Sequence, residues 1–157
     1  MKLGKVASAA VATAMIGGTL VPVAADGDAE AKRFFESQYR HDVMEHFSYG
    51  FKKIGMIMKG QAGSKDDIAA IANIMANASM MTKAAFKKDT RNMEGHTEAK
   101  DKIWEKWDDF SQRLDKLEAD ANAFAVAASS GDMAQIGAAM QNVGKNCKSC
   151  HDEYKKD

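Results

Sequence analysis

Cys147, Lys148, Ser149, Cys150 and His151 bring two thiols and an imidazole together near the end of a 157-residue chain, and they include both of its cysteines. Cys-x-x-Cys-His is the spacing at which two thiols form thioethers with the vinyl groups of a haem while the imidazole binds its iron. On a helix these residues fall at i, i+3 and i+4, so one flat group can meet all three. A thioredoxin-like redox pair needs a βαβ context and usually sits near a helix start, whereas no strand pattern surrounds this motif. A zinc site needs three or four ligands. His41 and His46 are far away in the chain, five apart, and form no second cluster of ligand spacing. Attachment of one haem c through Cys147 and Cys150, with His151 on the iron, is the chemistry these residues fit best.

Covalent haem attachment needs an exported chain, and the N-terminus has the pattern of an export signal. Lys2 and Lys5 precede an uncharged run from Val6 to Ala25, and the small residues Val23, Ala24 and Ala25 stand before Asp26. The run is long enough to span a membrane, but its Ala, Gly and Thr content and Pro22 near its end favour cleavage after Ala25. Residues 1–25 therefore read as a signal peptide directing the chain to the bacterial periplasm, with no membrane association after cleavage. Residues 26–157 then form the mature chain of 157 − 25 = 132 residues, enough for one domain with its own core. Removing Lys2 and Lys5 leaves 22 − 2 = 20 basic groups against 22 acidic ones. Such a balance provides no basic field for nucleic acid.

Pro22 is the only proline, and Ala, Met, Lys, Glu and Gln are abundant after it, so the mature chain reads as all-α. From Ala29 to about Lys59, the residues Phe35, Tyr39, Val43, Phe47, Gly50, Ile54 and Ile57 recur at helical spacing. Gly50 and Gly55 within this helix fit either close approach by a neighbour or tolerated surface positions. Gly60 to Gly63 form a turn. Ser64 and Asp67 resemble a capping box opening a second helix that runs to about Phe86, with Ile68, Ile71, Met75, Ala78, Met81 and Ala85 inward. Lys87 to Glu98 reads as a loop in which His96 is a solvated residue. A third helix is expected from about Lys100 to Ala128, with Trp104, Trp107, Phe110, Leu114, Leu117, Ala121 and Phe124 on one stripe. Asp132 and Gln135 open a fourth. There Ile136, Met140, Val143, Cys147, His151 and Tyr154 share a stripe, which places His151 toward the core. The expected architecture is an antiparallel up-down-up-down four-helix bundle with the haem inside one end.

Beyond the motif, Tyr39 and Arg40, Lys59 to Gln61, Ala84 to Phe86, Ile103 and Trp104, and Val143 through Tyr154 make the mature chain resemble the class II c-type cytochromes, in particular the cytochrome c′ family. The resemblance implies that Cys147 and Cys150 hold the haem and that His151 is the proximal iron ligand. It further implies that Arg40 hydrogen-bonds a haem propionate, Met44 lies over the open face of the iron, and Phe86 lines the pocket. Two positions differ from relatives: Lys83 stands where Trp is frequent, and Lys155 stands beside the proximal histidine where Arg is frequent.

The same resemblance implies a five-coordinate haem that binds NO and CO and can exchange electrons with a redox partner of unknown identity. The alternative is a low-spin electron-transfer cytochrome with Met44 as sixth ligand. Because many of the 11 methionines lie on core stripes, a packing role for Met44 is the preferred expectation. Enzymatic peroxide chemistry is not expected, because no distal histidine stands at Met44 and no acid–base pair is evident there. Relatives pair as homodimers through the first two helices, for which Phe34, Phe51 and Met56 are candidate outward residues.

Overall fold

A computed structural model describes residues 32–156; the expected signal peptide, residues 1–25, lies outside them. The helices are α1 (Phe35–Met58), α2 (Asp67–Lys87), the short α3 (Lys102–Glu105), α4 (Trp107–Ser130) and α5 (Met133–Tyr154). The four long ones form the antiparallel bundle, with α1 against α2, α2 against α4, and α4 against α5. No helix among the described residues is long and apolar enough to cross a membrane.

The core is built from the inward stripes. Ile54 from α1, Ile68 and Met75 from α2, Phe124 from α4 and Val143 from α5 are all fully buried. α1 and α2 approach tightly at Gly50, since a Cβ there would lie 2.8 Å from Met75 Cγ. Gly55 has open space around it, so close approach holds for Gly50 and a tolerated position for Gly55. Gly50→Val should therefore cost about 1–3 kcal/mol through overpacking. Gly55→Ala should instead gain about 0.5–1 kcal/mol of helix propensity. Urea unfolding of the two variants checks this contrast, and equal shifts in the same direction would exclude it.

α5 opens as expected. Asp132 accepts hydrogen bonds from the backbone N–H groups of Ala134 at 2.8 Å and Gln135 at 3.2 Å. Those bonds, led by the one from Gln135, hold its carboxyl below the usual carboxylate value. At the start of α2, the Ser64 N–H donates to Asp67 Oδ2 at 2.7 Å, which is one half of the expected box.

The start of α1 and the continuity of the third helix differ from expectation. α1 begins at Phe35, not Ala29, because the chain before it is extended: Arg33 pairs with His96, and the His96 N–H donates to the Lys32 carbonyl at 3.2 Å. Gly95 permits this, with φ +125° and a Cβ position only 3.0 Å from Lys32 O. At this end of α1 the buried residues are Ser37 and Arg40, while Phe35 is 93% exposed and Tyr39 also faces solvent. In α2, Thr82 is buried and Met81 is exposed.

The expected third helix is broken at Lys106, where φ is −123° and ψ is 46°. Residues 103–110 contain neither Gly nor Pro, so the break has no local cause. Tertiary contacts occupy both sides of it. Trp104 Nε1 donates to the Phe86 carbonyl at the end of α2, at 2.9 Å. Phe110 packs edge-on against both Phe86 and Tyr154.

His96 is half-buried, not solvated, and its Nε2 is a buried atom without a hydrogen-bond partner among the described residues. Its backbone joins the loop to the segment before α1, which draws the ring inward.

Candidate functional site

α1 packs on α2, and α5 packs on α4, but α1 and α5 do not pack on one another. Between them lies a cavity of about 550 Å³, within the usual range for small-molecule and cofactor sites. Cys147, Cys150 and His151 line its α5 wall, while Arg40, Met44 and Phe47 line the α1 wall. Phe86, Ile103, Phe110 and Leu114 make up much of the remainder. All the expected site residues, Lys155 included, thus meet in one place.

The helical phase of α5 follows from its buried residues. Ile136, Val143, Asn146 and Tyr154 face inward, and the motif residues stand beside them. His151 is not a core residue, as its stripe implied, but an exposed side chain on the cavity wall. Burial of its ring against that wall, and secondarily Lys155, pulls its imidazole below the ordinary histidine value. The shift favours the neutral imidazole, the form with a lone pair free for a metal.

Both cysteines are free thiols. Burial, with the neighbouring Cys150, pushes the Cys147 thiol up to about 11. Cys150 is also raised by burial, against the opposing charge of Arg113. A redox-active Cys-x-x-Cys pair needs a depressed thiol pKa, so these shifts run against that reading. Among the described residues, no three His, Cys, Asp or Glu side chains cluster closely enough to hold a metal ion by themselves.

α4 supports the motif from behind. The Asn146 amide donates to Asp120 Oδ2 at 3.3 Å, and its carbonyl oxygen accepts from Cys150 Sγ at 3.7 Å. Arg113 donates from Nη1 to the Ser149 carbonyl at 2.9 Å and from Nε to Asp109 Oδ2 at 2.8 Å. Asp109 also accepts from the Tyr154 hydroxyl. These partners were not singled out from the sequence, because Asp109, Arg113 and Asp120 have the spacing of ordinary solvated helix charges.

Arg40 is only 3% exposed, so it is not a surface charge. Its guanidinium lies among three rings, with centroids at 5.4 Å for Phe86, 5.5 Å for Trp104 and 5.6 Å for Phe34. Nη2 donates to Thr97 Oγ1 at 3.4 Å, whereas Nη1 is buried with no hydrogen-bond partner among the described residues. A buried guanidinium with an unused donor is costly unless an anion completes it. A haem presents two carboxylates at one edge of an apolar ring, and this cavity has apolar walls with an unsatisfied arginine at its rim. The residues fit the group.

Met44 is half-buried against the core on the wall facing α5. His41 and Glu45, one turn apart on α1, also line the cavity. Both also border a shallow cleft between α1 and α2, so they stand at the edge of the wall. Lys83 is away from the cavity, paired with Asp115 of α4.

A family model described as Cytochrome C′ matches residues 36–155. Cytochrome c′ of Rhodospirillum rubrum is 35% identical over 120 residues, covering 76% of this chain and 81% of that protein. Cytochrome c-554 of Cereibacter sphaeroides is 34% identical over 119 residues, covering 74% of this chain and 89% of that protein. Among solved structures, cytochrome c prime from Shewanella frigidimarina superposes with a TM-score of 0.70 at 34% identity, covering 78% of this chain and 94% of its own. A ferrous variant of cytochrome c prime from Alcaligenes xylosoxidans with bound NO superposes with a TM-score of 0.68 at 28% identity, covering 78% and 94%. With its bundle, its cavity between α1 and α5 and both attachment cysteines in place, the chain belongs to the cytochrome c′ family, whose haem c is covalently attached.

Proposed function

We propose that this protein binds NO and CO at a five-coordinate haem c held by Cys147, Cys150 and His151, and that it exchanges electrons through the same group. His151 is the proximal ligand. Arg40 pairs with a propionate, and Phe86 both lines the pocket and steadies Arg40 from one side. The carrying observation is the α1 wall opposite His151, where Met44, Phe47 and Phe51 offer an apolar surface and α1 stands clear of α5. An apolar, crowded distal wall favours uncharged diatomic ligands over water. Solved neighbours with bound NO and with bound carbon monoxide agree with this reading.

Whether Met44 packs or ligates is decided by spectra. For a packing Met44, the ferric holoprotein should be high-spin by absorption and EPR, and the reduced protein should change spectrum at micromolar NO. Met44→Ala should keep that spin state. A low-spin wild type that becomes high-spin in Met44→Ala would instead establish Met44 as the sixth ligand of an electron-transfer cytochrome.

The protein is exported to the bacterial periplasm with loss of residues 1–25 on export, and it pairs with a second copy through α1 and α2. The three residues first considered for that pairing are half-buried, and Phe51 lines the cavity. On the same two helices Tyr39, Tyr49, Ile74 and Met80 are exposed instead and supply the apolar surface. Native mass spectrometry of the expressed protein should give twice the mass of a chain beginning at Asp26 with one haem. A monomer mass would remove the pairing, and a retained N-terminus would remove the cleavage.

A further inference from the structure

The cavity's charged side chains gather largely at one rim. Arg33, Arg40, Thr97, Glu98 and Lys155 all line it, and they adjoin one another: Arg40 reaches Thr97, and Glu98 lies near both Arg33 and Lys155. Three cations and one carboxylate leave this rim with a net charge of 3 − 1 = +2. Glu45 lies five residues beyond Arg40 on α1, about 7.5 Å further along the axis.

The rim is held by backbone bonds between three distant parts of the chain. Arg33 pairs with His96 ahead of α1, Lys156 N–H donates to the Glu98 carbonyl at 2.7 Å, and Lys100 N–H donates to the Tyr154 carbonyl at 2.9 Å. The segment bearing Arg33, the loop bearing Glu98 and the end of the motif helix are therefore fixed against one another. The Arg33 side chain is only 12% exposed.

Glu98 stands between two cations without fully engaging either. Its Oε1 is 3.9 Å from Arg33 Nη2 and 3.7 Å from Lys155 Nζ. A made arginine–carboxylate pair has N···O distances of about 2.7–2.9 Å. Arg33 thus presents a largely buried guanidinium to the cavity with its hydrogen-bonding fork unspent on Glu98. Haem c carries two propionates, and Arg40 accounts for one of them.

We propose that Arg33 receives the second haem propionate, with Glu98 as the counter-charge that holds Arg33 and Lys155 at the rim. This rests on the reading above that the haem lies in the cavity with its propionate edge toward Arg40. The two rim arginines then match the two carboxylates in number and charge. Each guanidinium gains a close carboxylate that the described residues do not place within hydrogen-bond distance of it.

Resonance Raman spectra of the reduced holoprotein, read in the propionate-bending region, test the assignment. Arg40→Gln should move one propionate band, and Arg33→Gln should move the other. The proposal is overturned if Arg33→Gln leaves both bands in place, or moves the same band as Arg40→Gln. If Arg33→Gln accumulates too little holoprotein, Arg33→Lys replaces it: the second band should still shift, by less, and an unmoved band overturns the assignment. If neither arginine variant moves a band, the propionates lie elsewhere and the underlying placement of the haem is what fails. A band that answers to Arg40 but not to Arg33 removes this inference alone.

Discussion

His151→Ala is expected to leave haem on the polypeptide while abolishing the spectrum of a histidine-ligated iron. The thioethers at Cys147 and Cys150 are covalent and do not depend on the imidazole, so a haem stain on a denaturing gel should persist. The axial bond, by contrast, is a single interaction with one nitrogen. Partial desolvation against the cavity wall shifts that ring toward its neutral, coordinating form, and no other side chain of α5 offers an imidazole. Added imidazole should restore much of the wild-type absorption, because the site of the lost ring lies on an open cavity wall. The cysteines should behave in the opposite way: with both changed to serine, the stain should disappear. An unaltered ferric and ferrous spectrum in His151→Ala would show that another group binds the iron.

Phe124→Ala carries the largest expected effect on stability. Phe124 is 0% exposed and is among the largest fully buried side chains. Truncating a buried Phe costs about 3–5 kcal/mol, the sum of lost transfer free energy and of the cavity left behind. Set against a total of about 5–15 kcal/mol for a typical domain, this is a large fraction. Val126, two residues further along α4, is 75% exposed, and Val126→Ala should stay within about 0.5 kcal/mol. Urea unfolding of the two variants provides the comparison. Phe124 does not line the cavity, so the folded Phe124→Ala holoprotein should keep the wild-type haem spectrum. A shift for Phe124→Ala below about 1 kcal/mol would mean that the core closes around the missing ring.

The bundle was largely legible because its information is local. Ile68, Ile71, Met75 and Ala78 recur at the period of a helix, and that period alone places them on one buried face. Asp132 announces the start of α5 because its carboxylate can reach only the N–H groups just beyond it. The motif is local in the same sense: a spacing of three and four residues brings Cys147, Cys150 and His151 together on any α-helix.

Where reading failed, segments distant in sequence compete for the same backbone. Nothing within residues 103–110 interrupts a helix, yet Trp104 reaches back to α2 while Phe110 packs onto α5, and the helix breaks between them. The segment before α1 has no local reason to be extended, but Gly95 lets His96 pair with it. Phe35 had the right type and spacing for the core and lies in solvent, because at that end Ser37 and Arg40 are turned inward.

The same division runs through the site. Types and spacing by themselves pointed to a covalently held haem c and to the two thiols that attach it, since thioether chemistry and helical periodicity are properties of neighbouring residues. Only the tertiary structure decided which charges are buried. The resemblance singled out Arg40, but only the fold shows that Arg40 and the Arg33 side chain are buried beside the loop with Thr97 and Glu98. Desolvation depends on what the rest of the chain places around a group, and that is a property no short stretch of sequence contains.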